Sequence, residues 1–91
     1  MEISYRTTMT MDHPQDVANW IRTQRLAIDM SQADLAARSG TTQRLVSDFE
    51  RGKTNIRLET LFRLLAALNL QLAVINLTDA NAVETQGNIE W

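Results

Sequence analysis

The run Ser31-Gln32-Ala33-Asp34-Leu35-Ala36-Ala37-Arg38-Ser39-Gly40-Thr41-Thr42-Gln43-Arg44-Leu45-Val46-Ser47-Asp48-Phe49-Glu50-Arg51-Gly52 decides the fold. Ser31 followed three residues later by Asp34 approximates a capping box, with Asp where Glu or Gln is usual. Leu35, Ala36 and Arg38 carry a short helix onward. Gly40 closes it, because glycine takes the left-handed conformation at a helix end without a Cβ penalty. Thr42 can cap the next helix, Gln43–Arg51. Val46 and Phe49 lie on one face of that helix and Gln43, Arg44, Ser47 and Asp48 on the other, and Gly52 stops it. Two short helices joined by a turn of glycine and threonine make a helix-turn-helix. Ala36, Val46 and Phe49 allow the helices to cross closely, and Gln43, Arg44 and Ser47 face outward with groups able to address base edges and phosphates.

Upstream, Pro14 suits a first helical turn and Asp16 complements the helix dipole. Val17, Ile21 and Ile28, with Trp20 beside them, set a helix over 14–28, and Asp29 ends it because Asp tolerates a left-handed turn. Downstream, Leu58, Leu61, Phe62, Leu65 and Leu68 mark a strongly apolar helix at 58–68. Leu70, Leu72 and Val74 then alternate with Gln71, Ala73 and Ile75, which predicts a strand at 70–76. Residues 1–12 form an N-terminal arm, either frayed or a short strand through Ile3, Tyr5 and Thr7. Residues 78–91 are polar, acidic and aperiodic, and are expected to be disordered. The organisation is therefore an arm at 1–12, one domain at 13–70, a strand at 70–77 and a tail at 78–91.

With 91 residues the chain holds one small domain, and without cysteine nothing staples its core, so a second copy can supply missing burial. The whole-chain charge of −2 is unhelpful for a nucleic-acid binder. Its distribution is not. Residues 38–57 set Arg38, Arg44, Arg51, Lys53 and Arg57 against Asp48 and Glu50, while residues 58–91 set Arg63 against Glu59, Asp79, Glu84 and Glu90. What meets phosphate is the local field of the docking face. Arg63, Asn69, Gln71 and Asn76 interrupt the longest apolar segment, which argues against a membrane span and for a cytoplasmic protein. His13 is the lone histidine, so no metal site is expected. No paired carboxylates, phosphate loop or Ser/His/Asp set points to catalysis, and no cofactor is called for. Asp48 is expected to orient Arg44 or Arg51, and Glu50 to make a local ion pair. Leu45 either meets a thymine methyl or packs.

Ser31–Ala36, then Gly40-Thr41-Thr42-Gln43, then Phe49-Glu50-Arg51-Gly52-Lys53-Thr54 resemble the Xre family, the helix-turn-helix proteins typified by the lambdoid phage repressors. The resemblance spans about residues 14–70. It implies a mainly α fold, a lambda-repressor-like bundle of four or five helices, to which the reading above adds one C-terminal strand. It also implies a short helix near Thr54–Ile56 that periodicity does not reveal. Asp29 stands where the family usually has glycine. The implied partner is double-stranded operator DNA. Gln43, Arg44 and Ser47 are assigned to reading bases, and Gln32, Thr42, Arg51, Lys53 and Thr54 to holding phosphates.

An Xre domain followed by one strand and an acidic tail ending Glu90-Trp91 further resembles the antitoxins of HipA-like serine/threonine kinase toxins. That resemblance implies a homodimeric transcriptional repressor that also binds its toxin, and Trp91, which cannot pack locally, is the candidate toxin contact. The alternatives are a stand-alone phage-type repressor without a toxin, or an interaction module of the same fold that does not bind DNA. The strand at 70–76 pairs either with its copy in a second subunit or with Ile3–Thr7.

Overall fold

A computed structural model of the chain describes residues 10–74 and 76. Four helices follow one another: α1 (Pro14–Ala27), α2 (Gln32–Ser39), α3 (Gln43–Glu50) and α4 (Leu58–Ala67). The starts of α1, α2 and α3 have visible causes, whereas α4 begins after Arg57 without a side-chain cap. At α1 the backbone N–H groups of Asp12 and His13 donate to Asp16 Oδ2 at 3.0 and 3.1 Å. Those two donors, Asp12 first, hold the Asp16 carboxyl below the usual carboxylate range. A carboxyl with a lowered folded-state pKa supports the helix at neutral pH and loses that contribution as pH falls through its own pKa. At α2 the Ser31 hydroxyl accepts from Asp34 N at 2.9 Å, and the Asp34 carboxylate accepts from Ser31 N at 3.4 Å, so the capping box with Asp in third place does form. At α3 the Thr42 hydroxyl accepts from Leu45 N at 3.1 Å.

The terminators also act as their chemistry predicts. Gly40 sits at φ 71° after α2, and Gly52 at φ 76° just beyond α3. Asp29 adopts φ 58° in the first turn, so this chain makes with Asp the left-handed bend for which glycine is usual. The helices end within a residue of the expected bounds.

The core is built from Ile21 of α1, Leu35 and Ala36 of α2, Val46 and Phe49 of α3, and Leu64, Leu65 and Leu68 of α4 and its end, with Ala18 and Met30. Helix α2 packs on both α3 and α4, and α1 packs on α3. Trp20 lies partly buried against this core.

Three sequence-based expectations need correction. Ile28 is not on the buried stripe. The helix stops at Ala27, Asp29 reverses the chain, and Met30 enters the core while Ile28 stays 55% exposed. Glu50 makes no local pair. It is buried and meets Arg25 of α1, 25 residues away. No helix forms at Thr54–Ile56, which with Lys53 and Arg57 bridges α3 and α4 irregularly. The strand expected at 70–76 lies partly outside the described residues, which leave out Ile75; residues 70–74 belong to no regular element within the single chain. A strand exists only through a hydrogen-bonded neighbour, and no described segment of the chain offers one. The arm residues Ile3, Tyr5 and Thr7 and the tail at 78–91 with Trp91 likewise lie outside the described residues.

Candidate nucleic-acid interface

Helix α3 turns Val46, Phe49 and Glu50 inward. Helical geometry then puts Arg44, Ser47, Asp48 and Arg51 on the other side, while Gln43, the first residue of the helix, is exposed at its N-terminal end. Gln43, Arg44 and Arg51 are exposed and Ser47 is half-buried. The Arg44 side chain is 91% exposed, and its Nε stands 3.7 Å from Asp48 Oδ2, one turn along. Asp48 thus sits where it can aim Arg44. Leu45 is half-buried on the flank of the same helix.

The residues assigned to phosphates surround this face. Thr42 is exposed at the start of α3, its hydroxyl committed as a cap. Arg51 is the residue that ends α3. The turn beyond is tied back to the helix, with Gly52 N donating to Phe49 O at 3.0 Å and Lys53 N to Asp48 O at 2.8 Å. Lys53 is exposed and enters no ion pair among the described residues, so its ammonium is free. Thr54 donates its hydroxyl to Asn55 O at 3.1 Å and keeps an acceptor side only. Gln32 opens α2 but is half-buried, and its Nε2 donates to Glu50 Oε1 at 3.0 Å.

Behind Gln32 lies a group that sequence reasoning missed. Arg25, 6% exposed, grips Glu50, 4% exposed, through Nε at 2.8 Å and Nη2 at 2.9 Å, and donates from Nη1 to Met30 O at 2.8 Å. The signal was present: Ala18, Ile21 and Arg25 recur at helical spacing, so a charged residue stood on the apolar stripe and needed a buried partner.

A second surface is apolar. On and after α4, Leu58, Phe62, Leu72 and Val74 are 66%, 50%, 45% and 78% exposed. Phe62 and Leu72 border a groove lined also by Leu65, Ala66, Asn69, Leu70 and Gln71, and Leu58 borders a second one with Pro14, Val17, Phe49, Asn55, Ile56 and Leu61. Among the described residues no group of three His, Cys, Asp or Glu could hold a metal, and no helix is long and apolar enough to cross a membrane.

Known proteins share this arrangement. A helix-turn-helix family model, HTH_3, matches residues 21–75. The antitoxin HipB of Escherichia coli K12 is 32% identical over 79 residues, which cover 86% of this chain and 90% of HipB. The structure of a HipA-HipB-O2-O3 complex contains a chain that superposes with a TM-score of 0.71 at 27% identity, covering 77% of this chain and 99% of that one. The restriction-modification controller protein C.AhdI of Aeromonas hydrophila superposes with a TM-score of 0.62 at 31% identity, over 64% of this chain and 88% of its own. These relatives are regulators and antitoxins rather than enzymes. With its Ser31–Gly52 motif folded as two capped helices around a left-handed glycine, the chain belongs to the Xre-type helix-turn-helix (HTH_3) family of DNA-binding regulators.

Proposed function

We propose that the chain is a dimeric, sequence-specific repressor that binds operator DNA through α3 and also serves as the antitoxin of a HipA-like serine/threonine kinase. The observation that carries the DNA reading is the outward set Gln43, Arg44 and Ser47, flanked by the unpaired cation of Lys53. Gln43 has the donor–acceptor pair that suits adenine, Arg44 the fork that suits guanine, and Ser47 suits either. Gln32, Thr42, Arg51, Lys53 and Thr54 fix the register on the phosphates. Lys53→Ala is expected to weaken operator and unrelated DNA alike and to lower the salt slope of log affinity by about one. Titrations at several salt concentrations check this, and an unchanged slope would remove Lys53 from the phosphate set.

The dimer reading rests on the exposed Leu58, Phe62, Leu72 and Val74 and on the alternating run at 70–74, which joins no regular element among the described residues. Two copies pairing those segments would cover the apolar side of α4 and satisfy the backbone. The two recognition helices would then meet a pseudo-palindrome with half-sites about one DNA turn apart. Sedimentation at micromolar concentration is expected to give a dimer, and a monomer would refute the pairing.

The antitoxin reading is supported by the extent of the HipB similarity, whose 79 residues are more than the 13–70 domain can supply. The tail at 78–91 holds Asp79, Glu84 and Glu90 and no basic residue, so DNA phosphates would repel it. It ends on Trp91, an aromatic anchor suited to a pocket on a basic surface. Deleting residues 78–91 is expected to weaken binding to the kinase and leave DNA affinity intact. Unchanged kinase binding would show that the tail is not the toxin contact. A loss of DNA affinity alone would show that the tail serves the other partner.

A further inference from the structure

The buried group Arg25–Glu50–Gln32 joins four parts of the fold: α1, the turn at Met30, the start of α2 and the end of α3. Its two charged members are almost wholly buried. A buried ion pair contributes little net stability compared with apolar residues of the same volume, so stability alone does not account for it. What such a pair supplies is direction. The Arg25 guanidinium is held by both Glu50 oxygens and by Met30 O, so the Glu50 carboxylate is fixed in orientation. A carboxylate gripped by a guanidinium offers only acceptors, so the Gln32 carboxamide must turn Nε2, not Oε1, toward Glu50. One of its two N–H bonds is thereby used and the other is left to donate, on the first residue of a helix whose leading N–H groups have no partner within the helix.

We propose that Arg25 and Glu50 are positioning residues of the DNA interface: through Glu50 they hold the Gln32 amide at a fixed place relative to α3. The phosphate grip at α2 and the base-reading face of α3 then keep one register, because the same carboxylate sits at the end of α3 and accepts from Gln32. This rests on the reading of Gln32 as a phosphate contact. Gln32 is neutral, so its contact adds affinity for any duplex without adding to the salt slope, unlike that of Lys53.

The experiment is a double-mutant cycle in DNA affinity on the full chain, combining Gln32→Ala with the paired change Arg25→Met/Glu50→Leu, which fills the volume without leaving a lone charge. The probe is a duplex selected from a randomised library by the native chain. In the native background Gln32→Ala is expected to lower affinity about tenfold, as loss of a charge-assisted hydrogen bond does, with the salt slope unchanged. In the Arg25→Met/Glu50→Leu background, where the amide has lost its guide, the same change is expected to cost less than twofold. Equal costs in both backgrounds would overturn the positioning role, leaving the pair purely structural. No cost in the native background would instead refute the phosphate reading of Gln32. Thermal melting verifies that the paired variant folds. If it does not, the paired change Arg25→Gln/Glu50→Gln, which keeps polar side chains there without a lone charge or a carboxylate, takes its place in the same cycle with the same two expectations.

Discussion

Glu50→Leu alone is expected to destabilise the chain by about 3–5 kcal/mol, because it leaves the Arg25 guanidinium buried without its carboxylate. Arg25 is 6% exposed and would keep only its bond to Met30 O. A small domain has about 5–15 kcal/mol in total, so this one change removes a large share. Adding Arg25→Met is expected to recover most of the loss, since the remaining charge is then gone as well. Urea denaturation of the native chain and the two variants checks both statements. A loss below about 1 kcal/mol for Glu50→Leu would mean that the pair is far better solvated than its burial indicates.

Arg44→Ala is expected to do the reverse, sparing the fold and costing about 1–3 kcal/mol in operator binding. Its side chain is 91% exposed, and its one ionic neighbour among the described residues, Asp48, lies 3.7 Å away on the same helix surface. An exposed pair of that kind contributes little to stability. A bidentate contact to guanine, in contrast, is made only in the complex, and its loss should relax selectivity at one base position while leaving the others. Quantitative titration against duplexes varied one position at a time gives the result. Unchanged affinity and selectivity would place Arg44 outside base reading.

Much of this was legible in the chain because local chemistry settled it. Ser31 with Asp34, Thr42, Gly40, Asp29 and Gly52 each act within a few residues of themselves, and each is found in the predicted role. The outward face of α3 followed from period alone, since Val46 and Phe49 fix which side is inside. What could not be read were matters decided across the chain. Arg25 and Glu50 are 25 residues apart, and only the packing of α1 on α3 makes them partners. The tie between Gln32 and Glu50 follows from that meeting, so the sequence showed Gln32 only as a phosphate contact. Ile28 looked like core because the period ran through it, but the bend at Asp29 hands its place to Met30. Helix α4 looked buried all along its apolar side, whereas among the described residues Leu64, Leu65 and Leu68 are buried and Leu61 partly so, leaving Leu58 and Phe62 outward.

The central claim is that α3 reads a DNA sequence, and one measurement bears on it most directly. The full chain is titrated, by fluorescence anisotropy at physiological salt, against a duplex from the region upstream of its own coding sequence and against a scrambled duplex of equal composition. The account predicts a preference of about a thousandfold or more for the first, reduced by Arg44→Ala and kept by Lys53→Ala. Equal affinity for the two duplexes would contradict it.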